Sequence, residues 1–205
     1  MSHQTKYPMS FSTGGLFLEE SLKLAELFLQ AGEWAPVKKQ VRESNLLQAR
    51  TIKSLERIFL EASKRLECLS SKEKTLLVNG NMKERQCLLW LAICRTYPFV
   101  ADFAREVLRE KFLKLSLTLN ADDYNVFLNR KAEIHEEVES LSESTRVRLR
   151  QVLFKMLREA ELLTSTGEIR PLSLPPGLAC LFREGNTEEL TFFPMSDDEI
   201  RRCLS

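Results

Sequence analysis

Arginine and lysine side chains recur at helical spacing in two parts of this chain, residues 45–69 and residues 145–163. These basic positions are Arg50, Lys53, Arg57, Lys64, Arg146, Arg148, Arg150 and Lys155. An arginine fork can donate two hydrogen bonds to a phosphate or a guanine, and a lysine ammonium acts as a point charge. Because the whole chain has a net charge of only +1, its positive charge is placed in patches. That placement is typical of nucleic-acid-binding proteins.

Apolar residues at steps of three and four indicate that both stretches are amphipathic helices. The expected buried positions are Ile52, Leu55, Phe59, Ala62, Leu66 and Leu69 in the first, and Leu149, Val152, Met156, Ala160 and Leu163 in the second. At about 100° per residue, the basic side chains fall mostly on the opposite side of each helix. Amphipathic helices of many soluble proteins also show lysine and arginine to water, so a solvated face without a ligand stays open beside polyanion binding.

A shorter segment and a polar turn precede each basic helix, and this order is that of a helix-turn-helix unit. In the first half residues 34–43 form the supporting helix, and Lys38, Lys39 and Arg42 are expected near phosphates. In the second half residues 140–144 form the turn, which places Arg146, Arg148 and Arg150 in the first turns of the basic helix. Any helical hairpin whose second helix is basic shows the same order of elements, so the pattern alone does not identify a helix-turn-helix unit.

The elements around these helices predict a mostly α fold with two helical subdomains, residues 1–118 and 119–205, each with a helix-turn-helix-like unit. Residues 82–96 have an apolar centre on all sides and are expected to form the central helix of a bundle. Residues 115–120 alternate leucine with polar residues and are interpreted as the junction. Short extended segments at residues 168–171 and 191–194 make the second unit a candidate for a winged form.

Several classes of protein are excluded by what the sequence lacks. The longest apolar run, residues 87–94, is far short of the roughly 20 residues of a membrane span. No signal peptide is visible, and five cysteines without a CxxC pair are typical of a reducing compartment, so we expect a cytoplasmic protein. No phosphate loop or metalloprotease motif occurs. A metal or acid–base site around His135 and its neighbouring glutamates competes with a solvated helix face. We therefore expect no enzyme activity, no cofactor, no metal and no small-molecule substrate.

Part of the sequence resembles a known family. Residues 10–21 read SFSTGGLFLEES, Gly32-Glu33-Trp34 follows, and Asn45-Leu46-Leu47 leads to Ser54, Arg65 and Leu66. This pattern, the length and the helical interpretation resemble protein A of the bacteriophage exclusion (BREX) phage-defence systems. The resemblance implies a small bacterial protein that binds DNA through helix-turn-helix elements. It also implies work beside other BREX components, including an adenine-specific DNA methyltransferase.

The function that the sequence favours is therefore non-catalytic binding of double-stranded DNA in phage defence. Two alternatives stay open. One is a protein–protein adaptor of a defence complex, in which the basic helices contact acidic surfaces. The other is an RNA-binding helical bundle of the antitermination-factor type.

Overall fold

The computed structural model describes residues 7–204. Its helices, in chain order, are α1 (Leu18–Ala31), α2 (Trp34–Ser44), α3 (Ile52–Glu67), α4 (Ser71–Asn79), α5 (Met82–Thr96), α6 (Pro98–Phe103), a π-helical segment (Ala104–Arg109), α7 (Glu110–Leu113), α8 (Ala121–Ala132), α9 (Glu136–Glu139), α10 (Glu143–Glu159), α11 (Pro176–Glu184), a 3₁₀ segment (Thr187–Phe192) and α12 (Asp197–Leu204). The predicted mostly α fold class is confirmed.

Helix α5 is the centre of the molecule. Residues 86–94 are buried without interruption, and the Asn81–Glu84 capping box begins the helix where the sequence predicts it. The indole Nε1 of Trp90 donates to the carbonyl oxygen of Phe192 at 3.0 Å, so even the polar atom of this side chain is paired. At the end of α5 the Arg95 guanidinium binds Glu73 of α4 at 2.8 Å and Glu189 at 2.7 Å. The central helix is thereby linked to α4, which precedes it in the chain, and to the distant 3₁₀ segment.

The helical run 98–113 leaves α5 abruptly and packs beneath α8. Taken together, Met82–Thr96 and Pro98–Leu113 are bent by 116°. Pro98 opens the second run, where its missing N–H costs nothing. Within residues 7–204 no single helix is both long enough and apolar enough to cross a membrane; this pair meets the criterion only when joined across the bend.

One of the two extended segments expected from the sequence has a different structure over part of its length. Residues 187–192 form the 3₁₀ segment, so the edge strand or extended segment expected at residues 191–194 is wrong for Thr191 and Phe192, whereas Phe193 has extended backbone angles; Leu190 and Phe192 are buried there against the core. Across the described chain, strand-like pairing is restricted to the isolated bridges Thr118–Glu168 and Leu163–Ile169. Residues 168 and 169 thereby pair with the junction segment on one side and with Leu163, four residues beyond the end of α10, on the other. The wing and the helix-turn-helix details stay predictions.

Many contacts cross the expected boundary between residues 118 and 119. The Trp90–Phe192 and Arg95–Glu189 bonds do so. Lys131 of α8 binds Asp102 of α6 at 2.6 Å, and one continuous set of buried apolar side chains spans both halves. The division into two subdomains remains a prediction.

Residues 7–17 form a strap that runs over both halves before α1 begins. Tyr7 stacks on His135 with ring centroids 3.8 Å apart, and its hydroxyl donates to Asp102 at 2.8 Å. Phe11 is fully buried against Tyr97 and Phe99. This strap therefore covers the joint between α6, α8 and the α5 C-terminus.

Candidate nucleic-acid interface

Helix α2 presents three of the sequence-predicted cations to solvent. Val37 and Val41 are buried, which turns Lys38, Lys39 and Arg42 outward, and all three are exposed. Arg42 lies 3.8 Å from a carboxylate oxygen of Glu56 on α3, and both side chains are about half exposed at 61% and 47%. Such a surface pair contributes little energy. The α2 cations are thus available to a ligand.

The connection between α2 and α3 is longer than a helix-turn-helix turn. It comprises the seven residues 45–51, whereas such units use three or four. Asn45 ends α2 in the left-handed region at φ 45°, and Gln48 repeats that conformation at φ 51°. Thr51 and Ser54 then form a capping box. The predicted helix start at residue 45 is wrong, because residues 45–51 form this connection and α3 begins at Ile52.

The outward face of α3 carries Lys53 and Arg57, both exposed, and Arg50 stands exposed just before the cap. Leu55 and Phe59 are buried as predicted, at 6% exposure each, and Phe59 meets Trp34 edge-on. Ile52 is 61% exposed, so its predicted burial is wrong. It belongs to the first helical turn, which projects beyond the core.

Lys64 departs from the fully solvent-exposed position that the helical spacing predicts. It is half-buried, and its ammonium lies 4.6 Å from the centroid of the Tyr97 ring. A cation over an aromatic face is stabilised by the ring quadrupole. The C-terminal half of α3 is therefore covered on more than one side, and its freely exposed cations are restricted to the N-terminal half.

The three arginines that open α10 have different roles in the structure. Arg146 folds back on the preceding turn, where its guanidinium donates to the carbonyl oxygens of Leu141 at 3.2 Å and Glu139 at 3.1 Å. Arg150 is half-buried and donates to Asn125 Oδ1 at 3.1 Å. Arg148 is exposed and makes one long bond, 3.4 Å, to the Ser12 carbonyl oxygen. Only Arg148 of the three points freely outward.

Lys155 is exposed on the same helix and lies 3.6 Å from a carboxylate oxygen of Glu159, one turn later. That carboxylate is also the acceptor for the Leu16 backbone N–H at 2.5 Å. The α10 cations are therefore more often paired within the protein than those of α2 and the start of α3. The structure concentrates unpaired positive charge at α2 and at the start of α3.

A buried ion pair on α3 was not among the predicted functional residues. Arg65 is 1% exposed; its Nε donates to Glu61 at 2.8 Å and its Nη1 to the Gly15 carbonyl oxygen at 2.7 Å. Burial, together with the hydrogen bond to Glu61, raises the pKa of Tyr97. The sequence signal was available: Glu61 and Arg65 are four apart and stand beside the buried stripe, where solvated charges are not expected.

The acidic cluster near His135 does not assemble a site around that histidine. The His135 ring is occupied by its stacking on Tyr7, and the Glu137 carboxylate accepts from the Tyr7 backbone N–H at 3.3 Å. In the described part of the chain no group of three or more histidine, cysteine or acidic side chains could hold a metal ion. Of the cysteines, Cys87 and Cys94 are buried, and burial raises the pKa of the Cys87 thiol to about 12.

Comparisons with known proteins give one family. A family model described as BrxA matches residues 5–186 of the chain. A protein of Escherichia coli O9:H4 (strain HS) described as BREX protein BrxA is 31% identical over 147 residues, 72% of this chain and 69% of that protein. A protein of Bacillus cereus (strain H3081.97) with the same description is 27% identical over 161 residues, 78% of this chain and 80% of that protein.

The fold itself recurs in a solved structure. The crystal structure of an uncharacterized protein from Magnetospirillum magneticum superposes with a TM-score of 0.77 and covers 97% of this chain and 98% of its own. The sequence identity is 19%, so this likeness concerns the fold alone.

Proposed function

The chain belongs to the BrxA family of the BREX antiviral defence systems, and from that premise we propose that it is a non-catalytic protein that binds double-stranded DNA. Its compartment in this proposal is the cytoplasm. Its partners are the duplex and other BREX components, among them an adenine-specific DNA methyltransferase.

The observation that carries the proposal is the unpaired charge at α2 and the start of α3, a surface we call the α2–α3 basic surface. It consists of Lys38, Lys39, Arg42, Arg50, Lys53 and Arg57. Apart from the long Arg42–Glu56 pair, none of these side chains makes a hydrogen bond or an ion pair with any residue between 7 and 204. Phosphate oxygens spaced along a duplex are the acceptors that such a set of free cations fits.

The rest of the protein provides a contrast for this surface. Exposed lysines elsewhere in residues 7–204 pair with acids: Lys114 with Glu110 at 2.9 Å and Lys155 with Glu159 at 3.6 Å, each one helical turn away, and Lys72 with Glu184 of α11 at 2.6 Å. Such intrahelical pairs are the ordinary arrangement of a solvated helix face. Their scarcity on the α2–α3 basic surface supports a ligand of opposite charge over simple solvation.

Binding titrations with duplex DNA, single-stranded DNA and RNA at two or more salt concentrations test the proposal. If about five phosphates are neutralised, log K for the duplex should fall against log salt with a slope of roughly −4 to −5. Duplex DNA should bind more tightly than RNA of the same length, because the deep, narrow major groove of an RNA helix does not admit side chains. A response independent of salt, or no binding at low salt, would contradict the proposal.

A protein–protein adaptor is the second candidate, and exposed apolar side chains on the second half favour it. Val126 is 69% exposed on α8, and Ile134 is 62% exposed just beyond that helix. Charge reversal on the α2–α3 basic surface separates the two functions. An adaptor that uses α8 would retain its partner in a pull-down with the other BREX components, whereas a DNA-binding protein would lose the duplex.

A further inference from the structure

The outward face of α3 is not uniformly basic. Leu60 is 68% exposed, and among the large apolar side chains of the described chain only Leu115 at 82% and Val126 at 69% are more exposed. Helical spacing places it three residues after Arg57, four before Lys64 and seven after Lys53. Residues at these intervals share one side of a helix. Leu60 therefore stands among charged side chains: three cations share its side of the helix, and the half-exposed carboxylate of Glu56, four residues before it, lies at the edge of that side.

Nothing within the described fold covers this side chain. The buried residues of α3 include Leu55, Phe59, Ala62 and Leu66, and they point to the opposite side. The side chain of Leu60 therefore remains in water, at a position where its neighbours on the face are charged. A polar residue would be favoured there if solvation were the sole requirement.

A protein partner is a poor fit for this position. The core of a stable protein interface is a contiguous apolar patch in an area of about 800 Å² per partner, and charged residues are depleted from it. Leu60 is flanked by charged side chains along the helix, and the other exposed apolar residue of α3, Ile52, lies two turns away at 61% exposure. The exposed face of α3 is thus mainly charged, and its exposed apolar residues, Ile52 and Leu60, do not form a contiguous patch.

A DNA major groove has the complementary pattern. It is about 12 Å wide and admits an α-helix, phosphates line both of its edges, and the C5-methyl group of thymine is the apolar group on its floor. The free cations Lys53 and Arg57 precede Leu60 by seven and three residues, about 10 Å and about 5 Å along the helix axis. That spacing lets the two free cations reach phosphates while Leu60, one to two turns further along the same face, lies over the bases.

We propose that Leu60 contacts thymine C5-methyl groups when α3 lies in the major groove, and so gives the protein a modest preference for thymine-containing duplexes. The proposal rests on the proposed DNA binding and adds to it the feature of the bases that is recognised. Arg57 and Lys53 contribute affinity that is independent of sequence, and Leu60 contributes discrimination.

The test compares two duplexes of identical sequence, one with thymine and one with deoxyuridine at every thymine position, which removes only the methyl groups. The wild-type protein should bind the thymine duplex roughly three- to fourfold more tightly for each methyl group buried. Leu60→Ala should bind both duplexes equally and keep the salt slope of the wild type. Leu29→Ala is the matched control, because Leu29 is an exposed leucine at 40% on α1, a helix that carries none of the residues of the α2–α3 basic surface.

The outcomes separate this inference from the proposed function. Equal wild-type affinity for the two duplexes, with the salt slope intact, would overturn the role of Leu60 and leave DNA binding standing. A thymine preference that survives in Leu60→Ala would likewise overturn it. Absence of any salt-dependent duplex binding would overturn both. Circular dichroism of Leu60→Ala checks the fold, and loss of a side chain that is 68% exposed should leave it unchanged.

Discussion

Arg65 of α3 and Glu159 of α10 hold adjacent backbone groups of the strap from the two basic helices. Arg65 Nη1 donates to the Gly15 carbonyl oxygen at 2.7 Å, and Glu159 Oε2 accepts from the Leu16 N–H at 2.5 Å. A Cβ atom at Gly15 would stand 2.2 Å from the same Glu159 oxygen, so a side chain there requires this carboxylate to move. The C-terminal ends of both basic helices therefore converge on one dipeptide.

Reversal of charge at Arg57 should weaken duplex binding without unfolding the protein. Arg57 is exposed and unpaired within the described chain, so the free energy of unfolding should change by no more than about 0.5 kcal/mol. Arg57→Glu should reduce the magnitude of the salt slope by about 0.9, and adding Arg50→Glu and Lys53→Glu should reduce it further. Arg170→Glu, at an exposed arginine outside the α2–α3 basic surface, is the control. Equal losses for Arg57→Glu and Arg170→Glu would indicate that only net charge matters.

Arg146 and Arg148 should respond in opposite ways to substitution by alanine. Arg146→Ala removes the donors to the Leu141 and Glu139 carbonyl oxygens and should cost about 1–2 kcal/mol in urea unfolding, with little effect on DNA binding. Arg148→Ala should leave stability within about 0.5 kcal/mol of the wild type. If α10 contacts the duplex, Arg148→Ala should reduce the magnitude of the salt slope by about 0.9. An unchanged salt slope for Arg148→Ala would show that this part of α10 does not contact the duplex.

Arg65→Ala should be among the most destabilising single substitutions in α3. It leaves the Glu61 carboxylate buried without its cation and removes the donor to Gly15, a change that typically costs about 3–5 kcal/mol. Lys64→Ala, one residue earlier, loses only the contact with the Tyr97 ring and should cost about 0.5–1 kcal/mol. Chemical denaturation of the two variants measures the difference. Similar costs would mean that the buried pair contributes no more than the surface contact.

Stability should fall in acid partly through Glu73. Burial alone would raise the pKa of this carboxyl, but its bonds with Arg95 and Ser70 outweigh burial and hold the pKa below its ordinary value of 4.5. The stabilisation is therefore present above pH 4.5 and is lost as the pH falls through the lower folded-state pKa. Glu73→Gln should flatten the decline of unfolding free energy below pH 4.5, and Glu26→Gln, at an exposed acid of α1, should not. Parallel curves for Glu73→Gln and the wild type would exclude this contribution.

The helices were predictable from the sequence where local signals are strong. Met82–Thr96 was predicted to the residue, because an Asn81–Glu84 capping box begins it and Pro98 follows its end. The start of α3 was predicted seven residues too early, because the apolar residues Leu46 and Leu47 continue the helical pattern through a turn that depends on left-handed backbone at Asn45 and Gln48. The spacing of apolar residues carries no information on whether the backbone adopts a left-handed conformation.

The candidate interface was predictable in its residue types but not in their pairing. Lys38, Lys39, Lys53 and Arg57 lie outward as their spacing indicates. Arg146, Arg150 and Lys64 have the same spacing, yet they are engaged by carbonyl, amide and aromatic groups from other segments. Those partners are brought close by tertiary packing, on which helical periodicity carries no information. The exposure of Leu60 follows from spacing alone, since it lies three residues after Arg57 and seven after Lys53 on the outward face.

The strap has a consequence for the order in which the protein can be completed during translation. Leu16 leaves the ribosome 143 residues ahead of Glu159, and Tyr7 leaves it 130 residues ahead of Glu137. Until α10 is synthesised, Phe11 and the strap backbone have only some of their final partners. The indole N–H of Trp90 in α5 lacks its acceptor until the Phe192 carbonyl oxygen has been synthesised. Nascent chains stalled before residue 159 should therefore be cut by a protease within residues 7–17, and chains that extend past residue 192 should resist it.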